Sequence, residues 1–193
     1  MFLRASPRLL FWLVVILLGL LVGAGSALLV IRKAPSSKEP WIAGQPARSE
    51  EGNSLARARK SLCCLLAPDH REAIYYRVEK DSRSRPLRAE CNYQVVGRSP
   101  DARWWSLTIY DSDFFLIETR FGRHSVNSGN VEVNSDGTYS VSVGPSQVKG
   151  AWLPTRGEGH IYLLLRAYYP GTALAAQPEG APPTTIRLVG QCA

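Results

Sequence analysis

Histidine is scarce in this chain. Three occur in 193 residues, His70, His124 and His160, far apart and without paired spacing. A metal centre needs clustered ligands, and neither Asp69-His70 nor Glu158-Gly159-His160 supplies a full set, so no metal is expected. No Gly-x-Ser-x-Gly turn is present, which removes the usual sequence mark of a serine hydrolase without excluding every Ser-His-Asp arrangement. A phosphate-cradling loop and a dinucleotide fingerprint are also missing, so no cofactor is expected. Cys64 and His70 stand six positions apart across Pro68, which defines no geometry for a nucleophile and its base. Acid is in short supply as well: 16 acidic against 23 basic residues give a net charge of +7. The surplus is uneven. Arg4, Arg8, Arg32, Lys33 and Lys38, with Glu39, give the N-terminal region +4, and everything after it carries only +3. A mildly basic surface is not a nucleic-acid footprint, and no nucleic-acid partner is expected.

What is present begins with grease. Residues 9–31 form a run of 23 without a charge. At about 1.5 Å per residue the run reaches roughly 35 Å, enough to cross a hydrocarbon core with some tilt. Trp12 suits the membrane interface. A cleaved signal peptide is the rival reading, with Gly23-Ala24-Gly25-Ser26-Ala27 small enough to be cut. The apolar run continues past that point through Leu28, Leu29, Val30 and Ile31, which favours an uncleaved anchor. Flanking charge sets the orientation poorly. A lone anchor ahead of a cysteine-containing β-rich domain reads best as a single pass with the domain exported and the short tail cytoplasmic.

Residues 34–53 are rich in Pro, Ser, Gly and charge and read as a flexible tether, in which Trp41 and Ile42 are candidates to dock on the domain. Residues 54–66 read as a short helix. Asn53 or Ser54 caps it, and Leu55, Ala58, Leu62, Leu65 and Leu66 share one face, with Arg59 near that face. Cys64 falls on the opposite face with Lys60 a turn earlier. The plain reading of Cys63 and Cys64 is two small half-buried side chains, left as thiols.

Beyond residue 73 the pattern changes. Short apolar alternations separated by turn signals mark candidate strands at 73–80, 91–97, 103–111, 114–118, 131–134, 138–144, 160–169 and 184–189. This spacing argues an antiparallel, jelly-roll-like β-sandwich rather than alternating β-α-β units. The strongest strand is Arg103-Trp104-Trp105-Ser106-Leu107-Thr108-Ile109-Tyr110-Asp111, with Trp105, Leu107 and Ile109 on one face and Trp104, Ser106, Thr108 and Tyr110 on the other. Asn134-Ser135-Asp136-Gly137 is a hairpin turn. The stretch from Ile161 to Tyr169 is apolar on both faces and reads as central. Arg166 within it is costly to bury unpaired, so it needs a carboxylate, with Asp111, Asp113 and Asp136 as candidates.

Four cysteines allow three full pairings. The expected bond joins Cys91, which opens a strand, to the penultimate Cys192, 101 positions apart, and ties the C-terminus back onto the sheet; Cys63 and Cys64 stay thiols, since a bond between adjacent residues is strained. Such a bond persists in an oxidising compartment.

The order of Arg57-Ala58-Arg59, Glu72-Ala73-Ile74-Tyr75-Tyr76, Cys91-Asn92-Tyr93, the Arg103 to Asp111 strand, Asp136-Gly137, Trp152-Leu153-Pro154, Leu165-Arg166-Ala167-Tyr168-Tyr169-Pro170 and Cys192 resembles the bacterial domain of unknown function 1214. The resemblance runs from about Ala56 to Cys192. It implies a jelly-roll-like β domain in the bacterial envelope and no established activity. Larger relatives join it to a second domain of unknown function, 1254, for which this length leaves no expected room. Departures are the Cys63-Cys64 pair and the run of Arg83, Arg85 and Arg88, where relatives tend to carry an acidic, glycine-containing turn.

The expected organisation is a tail and transmembrane helix over residues 1–33, a tether over 34–53 and the β-sandwich over 54–193. Candidate ligand-binding residues are Trp104, Tyr110, Asp111, Trp152, Arg166 and Tyr168, with Tyr162 in the same aromatic set. Aromatic faces flanked by Arg and Asp suit sugars or other planar or amphipathic molecules. Two functions compete. One is a non-catalytic envelope module that binds a small anionic or carbohydrate ligand or another envelope protein. The other is a hydrolase or related enzyme acting on a carbohydrate or small envelope molecule, with Asp111 or Asp136 working beside Arg166.

Overall fold

The computed structural model describes residues 6–32, 41–43, 70–119, 121–177, 184–190 and 192, apart from the side chains of residues 30–32 and 42–43. Apart from Trp41–Ala43, the expected tether lies outside the described residues, as do the helix over 54–66 and the thiols of Cys63 and Cys64. The chain divides into an N-terminal unit and a β unit, which are taken separately.

The N-terminal unit contributes α1 (Pro7–Arg32). Its stretch Pro7–Leu29 is long and apolar enough to cross a membrane, and a signal sequence meets the same physical requirement.

In the β unit, alternation along each strand decides which side chains meet. The long strand β4 (Ala102–Asp111) turns Trp105, Leu107 and Ile109 into the core, as its parity predicts. Its chain-order predecessors are β1 (Trp41–Ala43), β2 (Ala73–Val78) and β3 (Tyr93–Arg98). After it come β5 (Ser125–Asn127), β6 (Thr138–Gly144), β7 (Trp152–Pro154), β8 (Ile161–Pro170), a short helix α2 (Thr172–Ala176) and β9 (Thr184–Leu188). One sheet has five strands in the order β1-β2-β8-β4-β5, and the other has four in the order β7-β6-β3-β9. The stretch expected to be central is β8, which lies between β2 and β4.

The domain is therefore mainly β, but the sheets are not wholly antiparallel, because β6 and β7 run parallel with Ser142 opposite Trp152. Residues 114–118 and 131–134 are not strands. Each makes an isolated bridge, Leu116 to Tyr110 and Val133 to Tyr139. Three-residue strands β1, β5 and β7 take places that no sequence period announces.

Both sheets feed one apolar core. Ile74, Tyr76, Leu163 and Leu165 come from the larger sheet, and Tyr93, Val95, Val141 and Ile186 from the smaller. Trp105 bridges the layers by packing on Tyr139, with ring centroids 4.6 Å apart, while its Nε1 donates to Ser99 Oγ at 2.8 Å. Glycine is required at position 97. A Cβ there would lie 2.8 Å from both Tyr139 Oη and Thr184 Oγ1. Gly137 takes a φ of 79° in the expected hairpin turn, where its amide donates to the Asn134 carbonyl at 2.9 Å.

Two long-range ties hold the ends of the domain. Trp41 is buried, and its Nε1 donates to the Thr184 carbonyl at 3.4 Å, so β1 of one sheet reaches β9 of the other. Cys91 and Cys192 form the expected disulfide, with Cα atoms 4.3 Å apart.

Candidate outer-face binding site

The same alternation that fills the core leaves a second set of side chains on the outer face of the five-stranded sheet. From β2 these are Tyr75 and Arg77; from β8, Tyr162, Leu164, Arg166 and Tyr168; from β4, Trp104, Ser106, Thr108 and Tyr110. Strand register then sets the neighbours. Arg166 lies directly between Tyr75 and Ser106, Tyr168 opposite Trp104, and Tyr162 opposite Tyr110.

Arg166 is half-buried at the centre of this face. Its Nη1 donates to Thr108 Oγ1 at 3.2 Å and its Nη2 to Tyr110 Oη at 2.5 Å. Its guanidinium carbon is 5.8 Å from the Tyr75 ring centroid and 5.6 Å from that of Tyr110. Such contacts attract a cation through the ring quadrupole. The expectation of a carboxylate partner is corrected: among the described residues no acid pairs with Arg166. Two neutral hydroxyls and two aromatic faces stand in its place. On the neighbouring β4, Ser106 and Thr108 are only 4% and 5% exposed. Burial and the neighbouring Tyr168 raise the Tyr75 hydroxyl above its ordinary pKa, with Arg166 pulling the other way.

Beside Arg166 the aromatics form a platform. Trp104 and Tyr168 have ring centroids 5.2 Å apart, Tyr75 and Tyr168 6.5 Å, and Trp104 keeps 41% of its surface exposed. A second group closes the other end. Phe114 stacks on Tyr162 with centroids 4.9 Å apart, and the Arg77 guanidinium lies 5.1 Å from the Phe114 ring and 5.0 Å from the Tyr162 ring. Arg77, unlike Arg166, has a carboxylate partner in Glu79.

Of the residues singled out by sequence, Trp104, Tyr110, Tyr162, Arg166 and Tyr168 share this face. Asp111 has another task. Its Oδ1 accepts from the amides of Asp113 at 2.9 Å and Phe115 at 2.8 Å, fixing the turn that follows β4. Trp152 belongs to the other sheet. It is 4% exposed, donates from Nε1 to the Gly144 carbonyl at 3.0 Å and packs against Phe121. Asp136 is engaged in its own hairpin, where its Oδ1 accepts from the Thr138 amide at 2.9 Å. Sequence reading missed Tyr75, Arg77 and Phe114. Parity within β2 marks the first two as a pair opposite Ile74, Tyr76 and Val78. Nothing local marks Phe114, whose left-handed backbone (φ 64°) lays its ring over the sheet. Among the described residues, no cluster of three or more His, Cys, Asp or Glu is placed to hold a metal.

The two strands that carry this face most fully, β4 and β8, fall within residues 72–172. That segment matches the family described as "Protein of unknown function (DUF1214)". The chain belongs to the DUF1214 family. The match covers β2 through β8 and stops short of β9 and Cys192. The fold of the DUF1214 domain is similar to the crystal structure of the VPA0106 protein from Vibrio parahaemolyticus, with a TM-score of 0.60, 22% identity, and coverage of 70% of this chain and 35% of that one. A crystal structure described as a putative uncharacterized protein from Burkholderia cenocepacia gives a TM-score of 0.42 at 17% identity, covering 61% of this chain and 29% of that one. The chain thus spans about a third of the length of the solved structures it matches. No curated protein matches the sequence.

Proposed function

We propose that this DUF1214 protein is a non-catalytic binding domain of the bacterial envelope. Residues 9–31 hold it in the inner membrane as a single pass, residues 34–53 act as the tether except for Trp41–Ala43, which dock on the domain as β1, and the domain over 54–193, a jelly-roll-like sandwich, faces the periplasm. The working surface is the outer face of the five-stranded sheet. One observation carries this reading: Tyr75 and Tyr110 flank a half-buried arginine that has no acid among the described residues, and Tyr168 and Trp104 extend the aromatic face from Tyr75. Aromatic faces offer large contact area at little entropic cost, and a few polar groups among them orient a ligand. The enzyme alternative, which set Asp111 or Asp136 to work beside Arg166, is disfavoured, because an acid-base group must lie within reach of the ligand. Asp111 and Asp136 instead each commit Oδ1 to a turn.

Two measurements test the reading. Alkaline phosphatase fused after residue 193 should be active, since it matures only when exported; an inactive fusion at normal expression removes the periplasmic placement. A thermal-shift screen of the detergent-purified chain against sugars and small ring compounds should give stabilising hits that vanish in Trp104→Ala/Tyr168→Ala. Hits that survive this double substitution would move the site off this face. An envelope protein as the ligand would appear as a crosslink from position 104 and no small-molecule hit.

A further inference from the structure

We infer that the domain rests on the bilayer crossed by its own anchor, and that the turn after β4 makes the contact, with Phe115 and Leu116 dipping into the lipid interface. This rests on the anchor proposed above and adds which end of the domain meets the lipid.

The connection between anchor and domain is short. α1 ends at Arg32 and β1 begins at Trp41, so residues 33–40 are all that joins them. Whatever path they take, so few residues reach at most about 30 Å even when fully extended. Trp41 is buried and bonded to the Thr184 carbonyl of β9, so the point of attachment is fixed. A link this short holds the bilayer at a high effective concentration, an advantage that a freely diffusing partner lacks.

Register sets which end of the sheet the link enters. Trp41 stands opposite Val78, Val78 opposite Leu163, and Leu163 opposite Ile109. β1 runs away from this end, so the chain before Trp41 arrives from it. β4 runs the other way and stops two residues past Ile109, at Asp111. The turn that follows therefore projects from the same end of the five-stranded sheet. It stands three strands across from β1, about 14 Å at the usual strand spacing.

That turn is apolar, open and braced. Phe114, Phe115 and Leu116 are 48%, 70% and 46% exposed. Large apolar side chains left in water in succession, rather than singly, mark a contact surface. The Asp111 amide donates to the Phe115 carbonyl at 2.9 Å, the Asp111 carboxylate holds the amides of Asp113 and Phe115, and Leu116 bridges back to Tyr110. A turn fixed in this way loses little freedom on contact. Phe114 already stacks on Tyr162, which leaves Phe115 and Leu116 as the inserting pair. The carboxylates of Asp111 and Asp113 set the depth, since a charge is costly to carry into hydrocarbon and stays among the headgroups.

The test uses the full chain in vesicles of phosphatidylethanolamine and phosphatidylglycerol, with the photocrosslinker p-benzoylphenylalanine placed at position 115 or, as a control, at position 169. Tyr169 is also open, at 61% exposed, but lies toward the opposite end of β8. After irradiation, peptide mass spectrometry should find lipid adducts at 115 exceeding those at 169 by at least about tenfold, the preference that burying one large apolar side chain supplies. Leu116→Asp in the chain labelled at 115 should cut the adducts by a similar factor; Leu116→Ser takes its place if circular dichroism shows the fold lost. Equal adducts at both positions, crosslinks between two copies of the chain in place of lipid adducts, or adducts undiminished by the substitution at 116 overturn the inference and leave the anchor standing. Chain that leaves the vesicles in alkaline carbonate overturns the anchor, and the inference with it.

Discussion

Removing the bond between Cys91 and Cys192 should cost the β domain a large share of its stability. The bond closes a sequence separation of 101. Chain-entropy arithmetic for a loop of that length gives about 4.7 kcal/mol at 25 °C, acting through the unfolded state. A domain of this size is stable by roughly 5–15 kcal/mol, so the loss is a third of the total or more. At roughly 2–4 °C per kcal/mol it corresponds to a fall in Tm of about 10–20 °C. Cys91 is buried, so the clean substitution is Cys91→Ala with Cys192→Ser, which places no unsatisfied hydroxyl in the core. Substitution is preferable to reduction, because a reductant acts on every cysteine of the chain. The assay is urea unfolding followed by tryptophan fluorescence, since buried Trp105 reports the core. Alongside the lower midpoint, the slope m should rise, because a chain without the crosslink exposes more surface when unfolded. A loss under about 1 kcal/mol would refute the reasoning. It would mean that the C-terminal tie, including the bond from the Val189 amide to the Asn92 carbonyl, frays before the core opens.

Three other outcomes follow from the packing and the ionisable groups. Trp105→Ala should cost about 3–5 kcal/mol in urea unfolding followed by far-UV circular dichroism, because it empties the contact with Tyr139 between the sheets; a loss below about 1 kcal/mol would show that this contact does not join the layers. Burial pushes the Asp81 carboxyl up, but hydrogen bonds from the Arg85 side chain and from the Arg85 and Arg83 amides outweigh it and leave it below the ordinary aspartate range. A folded-state pKa below the unfolded value adds stability above about pH 3.9 that disappears as pH falls through the folded value. Asp81→Asn should therefore flatten the acid limb of the stability curve below about pH 4, and an unchanged limb would remove Asp81 from that role. Burial pushes the Tyr76 and Tyr139 hydroxyls to about 12, so absorbance at alkaline pH should show both remaining protonated until the fold opens; substituting either by Phe and finding a lost ionisation near pH 10 would contradict this.

Much of this domain was legible in local pattern. Parity along Trp105, Leu107 and Ile109 marked one face of β4 as core, because side chains on a strand alternate with a fixed period. Gly137 marked its turn because few other residues tolerate a positive φ. The length and apolarity of α1 were visible for the same reason: they are properties of one continuous segment. Short strands were not legible, since three residues carry no period, and the 114–118 alternation failed because Asp111 captures the following amides in a turn.

The candidate site divides along the same line. Sequence alone could say that Arg166 lies within a strand and that burying it demands partners. It could not say that the partners are hydroxyls and rings, because alternation assigns a face and leaves the neighbouring strand open. Pairing β8 between β2 and β4 brought Tyr75, Thr108 and Tyr110 to Arg166 across 91, 58 and 56 positions of chain. Trp152 is the same residue type as Trp104, yet one is buried at the smaller sheet against Phe121 and the other stands open on the larger. Composition treats two tryptophans alike; only the assembly of distant strands gives each its surroundings, and with them its chemistry.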